Sequence, residues 1–358
     1  MSSSTPSKLH SQDSTGNSSR SWLTIVVKLA VAISLVAYLV KKEHISWEPL
    51  LASMQQWQYS VPALLLLFLT PLGQLWRWQS LLRARQLHLP TGEVFTLLMV
   101  SKFLNMALPG HIGGDVLRGV LISRRASENS PAGGSNHPPL GPYAVVPSIL
   151  FDRLFGVSAL LVFCLLGTLG SIYHPLPARF VVPVSVLAGC GLLATLALLW
   201  LAYLRPAPPV ILTHLAKKLR MGEMFAELYR GTHDYVHDAA LIRKIALISC
   251  ASQGLILSSL MLYGRALGIE VGLLGYMVLV PVGLVLTTIP ITPASLGVGQ
   301  VAFLALFQLA GSTQGANLFT LYMISQVLIN LSGAVLLPLL QTREVLPDLS
   351  RFVRAEKR

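Results

Sequence analysis

Apolar runs long enough to cross a lipid bilayer recur along the chain, and no other feature constrains its fold so strongly. A helix needs about 20 mostly apolar residues to cross roughly 30 Å of hydrocarbon. Six stretches meet that length: 22–40, 61–82, 144–170, 180–204, 245–264 and 318–340. Two more, 94–125 and 273–311, are apolar but interrupted, the first at Leu108-Pro109-Gly110 and the second at Pro290-Ile291-Thr292-Pro293. Unpaired backbone groups are costly in hydrocarbon, so only helices and closed barrels span it, and runs of this length select helices. The fold class expected is all-α: a polytopic integral membrane bundle of six to eight spans with two broken or re-entrant elements.

Charge supports the same reading. Only 12% of residues are charged and 53% are hydrophobic, whereas soluble domains carry about 25% charged residues. The net charge of +12 would suggest nucleic acid in a soluble protein. Here the basic residues lie between apolar runs, where they orient a membrane protein and meet anionic headgroups, so no nucleic-acid partner is expected. Cys164, Cys190 and Cys250 lie inside apolar stretches without metal or disulfide spacing and read as small buried hydrophobes.

Residues 1–20 are Ser-rich and polar and form an expected disordered cytoplasmic tail. The run 22–40 exceeds a signal-peptide core and ends at Lys41-Lys42 without a convincing cleavage site, so it should remain as an anchor. The bundle then extends over 21–341, followed by a basic cytoplasmic tail at 342–358. Within it, 126–143 is a Pro- and Gly-rich flexible loop, and 205–244 is a basic cytoplasmic connector containing a helix that lies on the membrane face.

Topology follows from the rule that short cytoplasmic loops hold the Lys and Arg excess. The connector 205–244 and the C-terminal tail must both be inside, so 273–311 leaves and returns on the outer face, as a hairpin or two crossings. A hairpin at 94–125 that enters from the cytoplasm keeps Arg83 and Arg85 inside. Outside the apolar segments, only Lys41, Lys42, Arg179 and Arg265 then remain on the outer side. Broken elements that enter from opposite faces are the pattern of an inverted repeat, with a site where the breaks meet. The localisation expected is a bacterial inner membrane, multi-pass, with both termini cytoplasmic.

The first break runs from Ser101 to Arg118 and contains Asn105, Gly110, Gly113, Gly114, Asp115 and Arg118. Non-helical backbone at membrane depth survives only when buried in protein or lining a wet cavity. Amides freed near a helix start can bind an anionic oxygen. A plain cytoplasmic loop with Asp115 as an N-cap explains the same spacing.

Asp152 and Arg153 stand early in the run 144–170, where ionisable groups must pair, line water or lie at the interface. Neighbours on a helix do not face each other, so Arg118 or Lys102 is the candidate partner of Asp152, and Asp115 that of Arg153. Arg77, between Trp76 and Trp78, reads first as an interfacial anchor and secondarily as a phosphate contact.

The second break contributes Pro290, Pro293, Gly297, Gly299 and Gln300. Its Gly297-x-Gly299 spacing mimics a dinucleotide fingerprint, but neither the preceding strand nor the following acid is present. His233 and His237 have i, i+4 metal-ligand spacing without a third ligand in view, so neither a metal nor a cofactor is expected. No Walker motif, nucleophile elbow or kinase set occurs.

Three motifs together carry a family resemblance. They are Asn105-x-x-x-Pro109-Gly110-x-x-Gly113-Gly114-Asp115-x-x-Arg118, Asp152-Arg153-Leu154-x-Gly156, and Pro290-x-Thr292-Pro293 followed by Leu296-Gly297-Val298-Gly299. Over about residues 20–340 the chain resembles the lysylphosphatidylglycerol synthase transmembrane (flippase-like) family. The resemblance implies re-entrant elements, and in bifunctional members translocation of an aminoacylated phospholipid made by an appended soluble domain. This chain is similar to stand-alone members, some of which are associated with polyprenyl-lipid or hopanoid pathways. It departs from the family pattern at Ala294-Ser295, where Gly-Gly is usual, and at Gln300, where an acid is common.

The function expected is a lipid flippase of passive or ion-coupled type, with a headgroup site at Asp115, Arg118, Asp152 and Arg153. Its partners would be membrane lipids with anionic headgroups. Two alternatives remain: a membrane-embedded transferase using Asp115 and Asp152 on a lipid-linked substrate, and a subunit that recruits a lipid synthase through 205–244.

Overall fold

The computed structural model describes residues 33–34, 37–41, 47–107, 114, 118–119, 122, 146–170, 176–205, 222–288, 292 and 295–341, and all regular structure among them is helical. In chain order the helices are α1 (Trp47–Gln55), α2 (Trp57–Ala84), α3 (Thr91–Ala107), α4 (Val146–Gly170), α5 (Ala178–Leu204), α6 (Gly222–Val236), α7 (Ala239–Ala266), α8 (Leu273–Thr287), α9 (Val298–Gln308) and α10 (Gly315–Gln341). Of these, α2, α4, α5, α7 and α10 are long and apolar enough to cross a membrane. They correspond to five of the six uninterrupted runs. The sixth, 22–40, falls mostly outside the described residues, but Leu39 near its end is buried with Leu304 and Ala316.

The second interrupted run breaks as the sequence demands, whereas the break expected at Leu108-Pro109-Gly110 in the first lies outside the described residues. In the second, α8 and α9 comprise 15 and 11 residues, or about 22 and 16 Å at 1.5 Å per residue. Neither crosses the hydrocarbon alone. They pack on one another, with Phe303 of α9 pressed to Gly283 of α8, where a methyl group would lie 2.4 Å from the ring. In the first, α3 is described as far as Ala107, and Gly114 lies against it at Ser101. A methyl on Gly114 would be 2.0 Å from the Ser101 carbonyl oxygen, so only glycine permits that close approach.

The tertiary packing is reciprocal between two halves. Helices α2, α3 and α4 of the first half correspond in order and approximate length to α7, α8 and α10 of the second. Exchanging the halves maps the α2–α7 interface onto itself and the α3–α10 interface onto the α8–α4 interface. All three are among the principal helix pairings of the molecule. The detail matches too. Gly167 of α4 abuts Met277 of α8, and Gly333 of α10 abuts Met99 of α3, with hypothetical methyl contacts of 2.8 and 2.1 Å.

Helices α2 and α7 run antiparallel. Ser259 Oγ donates to the Ala63 carbonyl at one level and Arg77 reaches Ser249 at another, while Ser252 closes on Gly73 between them. Small residues let the backbones approach, which is how helices associate where lipid supplies no hydrophobic drive. An antiparallel pair on the internal axis is the geometry an inverted repeat requires.

The connector helix α6 has one polar and one apolar side, and it packs across the ends of the bundle helices. Its side chains satisfy carbonyls that helix ends leave unpaired. Tyr235 donates to the Leu81 carbonyl in the last turn of α2, and Tyr229 donates to the Arg205 carbonyl after α5. The His233 ring donates to the Ala202 carbonyl at 2.7 Å. His237 donates to the His233 carbonyl and stacks on Tyr203. This pair is therefore engaged in helix capping, and no metal-binding cluster of three His, Cys, Asp or Glu side chains occurs among the described residues.

Candidate functional site

Charged side chains converge where α2, α3, α4 and α7 meet. Asp152 lies six residues into α4 and Arg77 seven before the end of α2, each about 10 Å along its helix from that end. Burial of an ion at such a depth requires a partner. Arg77 Nε donates to Asp152 Oδ1 at 2.5 Å and Nη1 donates to Ser249 Oγ of α7 at 2.8 Å. The partner of Asp152 is thus Arg77, not Arg118 or Lys102.

The anchoring role of Arg77 is corrected by the same geometry. Arg77 is 5% exposed, and its flanking indoles differ completely, with Trp78 at 0% and Trp76 at 58%. Residues two apart on a helix point about 200° apart, so one indole lies on the outer surface of the bundle while the other enters the core. Arg77, between them in sequence, is directed at α4 and α7.

Trp78 has its own task. Its Nε1 donates to Ser148 Oγ of α4 at 3.2 Å, fixing the ring so that its face receives Arg118, whose guanidinium carbon lies 4.2 Å from the centroid. That is within cation–π range. Arg118 is also buried, and is held in place although it follows the first break.

Lys102 of α3 donates to Gln74 Oε1 of α2 at 2.9 Å. It lies within the electrostatic reach of Asp152, Arg118, Arg77 and Arg153. Asp152 faces inward, whereas Arg153 is exposed, as neighbours on a helix must diverge. Among the described residues, the interior of this cluster contains three cations, Arg77, Lys102 and Arg118, and one carboxylate, Asp152.

At the first break, Asn105 Oδ1 accepts the Gly114 N–H at 2.8 Å. The side chain thereby holds Gly114 against α3. Gly110, Gly113 and Asp115 fall outside the described residues.

The second break is closed by its own side chains. Gln300 Oε1 accepts the Gly297 N–H at 2.8 Å, and Gln300 Nε2 approaches Met323 Sδ. Ser295 Oγ donates to the Thr287 carbonyl at the end of α8, and Thr292 donates to the Leu296 carbonyl. Gly297 adopts φ 78°, a conformation that favours glycine. At Gly299 a methyl would meet the Phe319 ring at 2.1 Å. Pro290 and Pro293 fall outside the described residues. Gln300 thus acts on the backbone, and the surroundings are aromatic rather than charged: Phe303, Phe307, Phe319 and Tyr276 share one core.

Sequence reasoning missed Gln74, Trp78, Ser249 and Gln253. The signal for Ser249 and Gln253 was present in α7, where Ser249, Ser252, Gln253 and Ser259 follow helical spacing through an otherwise apolar run. Polar positions on one face of a membrane helix mark the side that meets protein.

The description "Lysylphosphatidylglycerol synthase TM region" matches residues 25–332. The chain belongs to that family. Membership of the lysylphosphatidylglycerol synthase TM family makes it a multi-pass membrane protein connected with membrane lipid. No curated protein and no solved structure matches it.

Proposed function

We propose that this member of the lysylphosphatidylglycerol synthase TM family translocates an anionic lipid across a bacterial inner membrane, with its termini in the cytoplasm. The observation that carries the reading is the convergence of three cationic side chains, Arg77, Lys102 and Arg118, with Asp152 at the level where α2, α3, α4 and α7 meet. Charge buried at this depth attracts an anion of opposite sign. A phosphodiester headgroup supplies one while its acyl chains remain in lipid.

The reciprocal halves support a transport cycle. Two interlocked repeats of opposite orientation can exchange packings, opening the headgroup site first to one leaflet and then to the other. The transferase alternative needs free acids. Of its two candidates, Asp152 is engaged by Arg77, which disfavours it as a base.

Reconstitution in vesicles with fluorescent phosphatidylglycerol tests the proposal. The parent protein moves lipid between leaflets, and Arg118→Ala and Asp152→Asn do so at least tenfold more slowly. If both variants match the parent, the headgroup site is elsewhere. Conversion of a lipid-linked donor by the purified protein would instead establish the enzyme.

A further inference from the structure

Helix α1 is 9 residues long, about 14 Å at 1.5 Å per residue, and cannot cross a bilayer. It packs against α2, α7 and α10 at the end of α2 remote from α6, whose Tyr235 reaches Leu81 at the other end. Its placement is fixed by a kink. Gln56 leaves the helical conformation between α1 and α2. Ser60 Oγ of α2 then donates back across the kink to the Ser53 carbonyl at 2.6 Å, an acceptor that the end of α1 otherwise leaves unpaired.

This short helix has three sides. Leu50 and Ser53 are buried against the bundle. Leu51 and Met54 are 58 and 67% exposed, and they stand about 60° apart around the axis. Glu48 and Gln55, also exposed, lie within about 20° of each other and about a quarter-turn from the Leu51–Met54 side. Water accounts for the side with Glu48 and Gln55. It does not account for an exposed Leu and Met on the neighbouring side.

Helix α2 shows what does. Trp57, its first residue, is 70% exposed, and Val61, Leu65, Phe68, Leu72 and Trp76 follow at intervals of three or four residues, all exposed. They form one side of a helix long and apolar enough to cross a membrane. Met54 and Leu51 continue the series backwards at intervals of three. The series also sets a depth. Trp57 and Trp76 are 19 positions apart, or about 28 Å along the helix, against about 30 Å of hydrocarbon. Indoles collect at the two boundaries of that layer, so Trp57 marks one of them, and α1 ends two residues before it.

We infer that α1 is an interfacial helix seated in the leaflet opposite α6, with Leu51 and Met54 dipped into the boundary between headgroups and acyl chains. Glu48 and Gln55 face water. The partner of this surface is the lipid boundary itself, which holds helices that carry an apolar side beside a polar one. The inference requires no particular transported lipid and stands apart from the proposed function.

The test uses the full chain with Cys164→Ala, Cys190→Ala and Cys250→Ala, in nanodiscs of phosphatidylcholine and phosphatidylglycerol. A nitroxide is attached through Leu51→Cys, Met54→Cys or Gln55→Cys, one at a time. All three side chains are exposed, so the labels leave the packing intact. Power saturation compares collisions with oxygen, which concentrates in lipid, and with a water-soluble nickel chelate; Leu72→Cys, on the exposed side of α2, supplies the lipid reference.

The expected result is oxygen dominance at positions 51 and 54 and nickel dominance at 55, an inversion between adjacent residues. Nickel dominance at all three positions would place α1 in water and overturn the inference. Oxygen dominance at 55 as well would remove the sidedness and overturn it. Protection from both reagents at 51 and 54 would mean that another protein or a second copy of the chain covers this side, and would overturn the lipid assignment.

Discussion

Arg77 and Asp152 meet across 75 positions of sequence, the guanidinium Nε donating to the carboxylate in the interior of the bundle. Each supplies the other's opposite charge away from water, and Ser249 Oγ of a third helix accepts a hydrogen bond from the guanidinium Nη1. Helices α2, α4 and α7 are thereby tied at a single level.

Removing one member of this pair should be much worse than removing both. Asp152→Asn leaves the guanidinium charge uncompensated and is expected to lower stability by about 3–5 kcal/mol. The Arg77→Met, Asp152→Leu double variant should recover most of that loss while abolishing lipid movement. Denaturation in detergent, analysed as a double-mutant cycle, reads the coupling; additive losses would show that the contact contributes little.

The reciprocal glycines should respond alike. Gly167→Val and Gly333→Val insert side chains against Met277 and Met99, and overpacking of this kind costs about 1–3 kcal/mol. Both should lower the melting temperature, whereas Gly189→Val, where nothing lies within 4 Å, should leave it nearly unchanged. A tolerant Gly333 would contradict the close helix contact.

Burial pushes the Tyr235 phenol up from its ordinary value, and the hydroxyl donates to the Leu81 carbonyl. A group whose folded pKa is raised contributes stability that is complete below its unfolded pKa, about 10 for tyrosine. That contribution is lost as pH rises through the folded value. Tyr235→Phe should therefore cost about 0.5–1.5 kcal/mol at neutral pH and flatten the alkaline decline. Melting curves across the alkaline range would distinguish the variant from the parent, and parallel declines would exclude this phenol as the cause.

The Arg85–Asp234 pair provides a contrast. Its atoms are 3.2 Å apart, but the Asp234 side chain is 58% exposed, so solvent screens the attraction. Asp234→Asn should shift stability by less than about 1 kcal/mol, and added salt should not enlarge the difference. A large loss in the same melting assay would mean that α6 depends on charge more than on its capping tyrosines.

The sequence by itself determined the solvent. Five of its six uninterrupted apolar runs form helices able to cross a bilayer, and the second interruption gives two helices too short to cross alone. The amphipathic connector helix was legible for the same reason, since hydropathy and helical period are local properties. The candidate role of Asp152 also followed from local composition, because a carboxylate within an apolar run must be accommodated.

Only the tertiary structure decided the accommodation. Arg77 read as an interfacial anchor because two indoles flank it, yet Trp76 and Trp78 face opposite environments and the guanidinium enters the core. Sequence specifies which residues share a helix face, but not which helix that face will meet. The choice of Arg77 over Lys102 and Arg118 for Asp152, the placing of Gln253 beside them, and the reciprocal contacts of Gly167 and Gly333 all depend on packing between segments far apart in the chain.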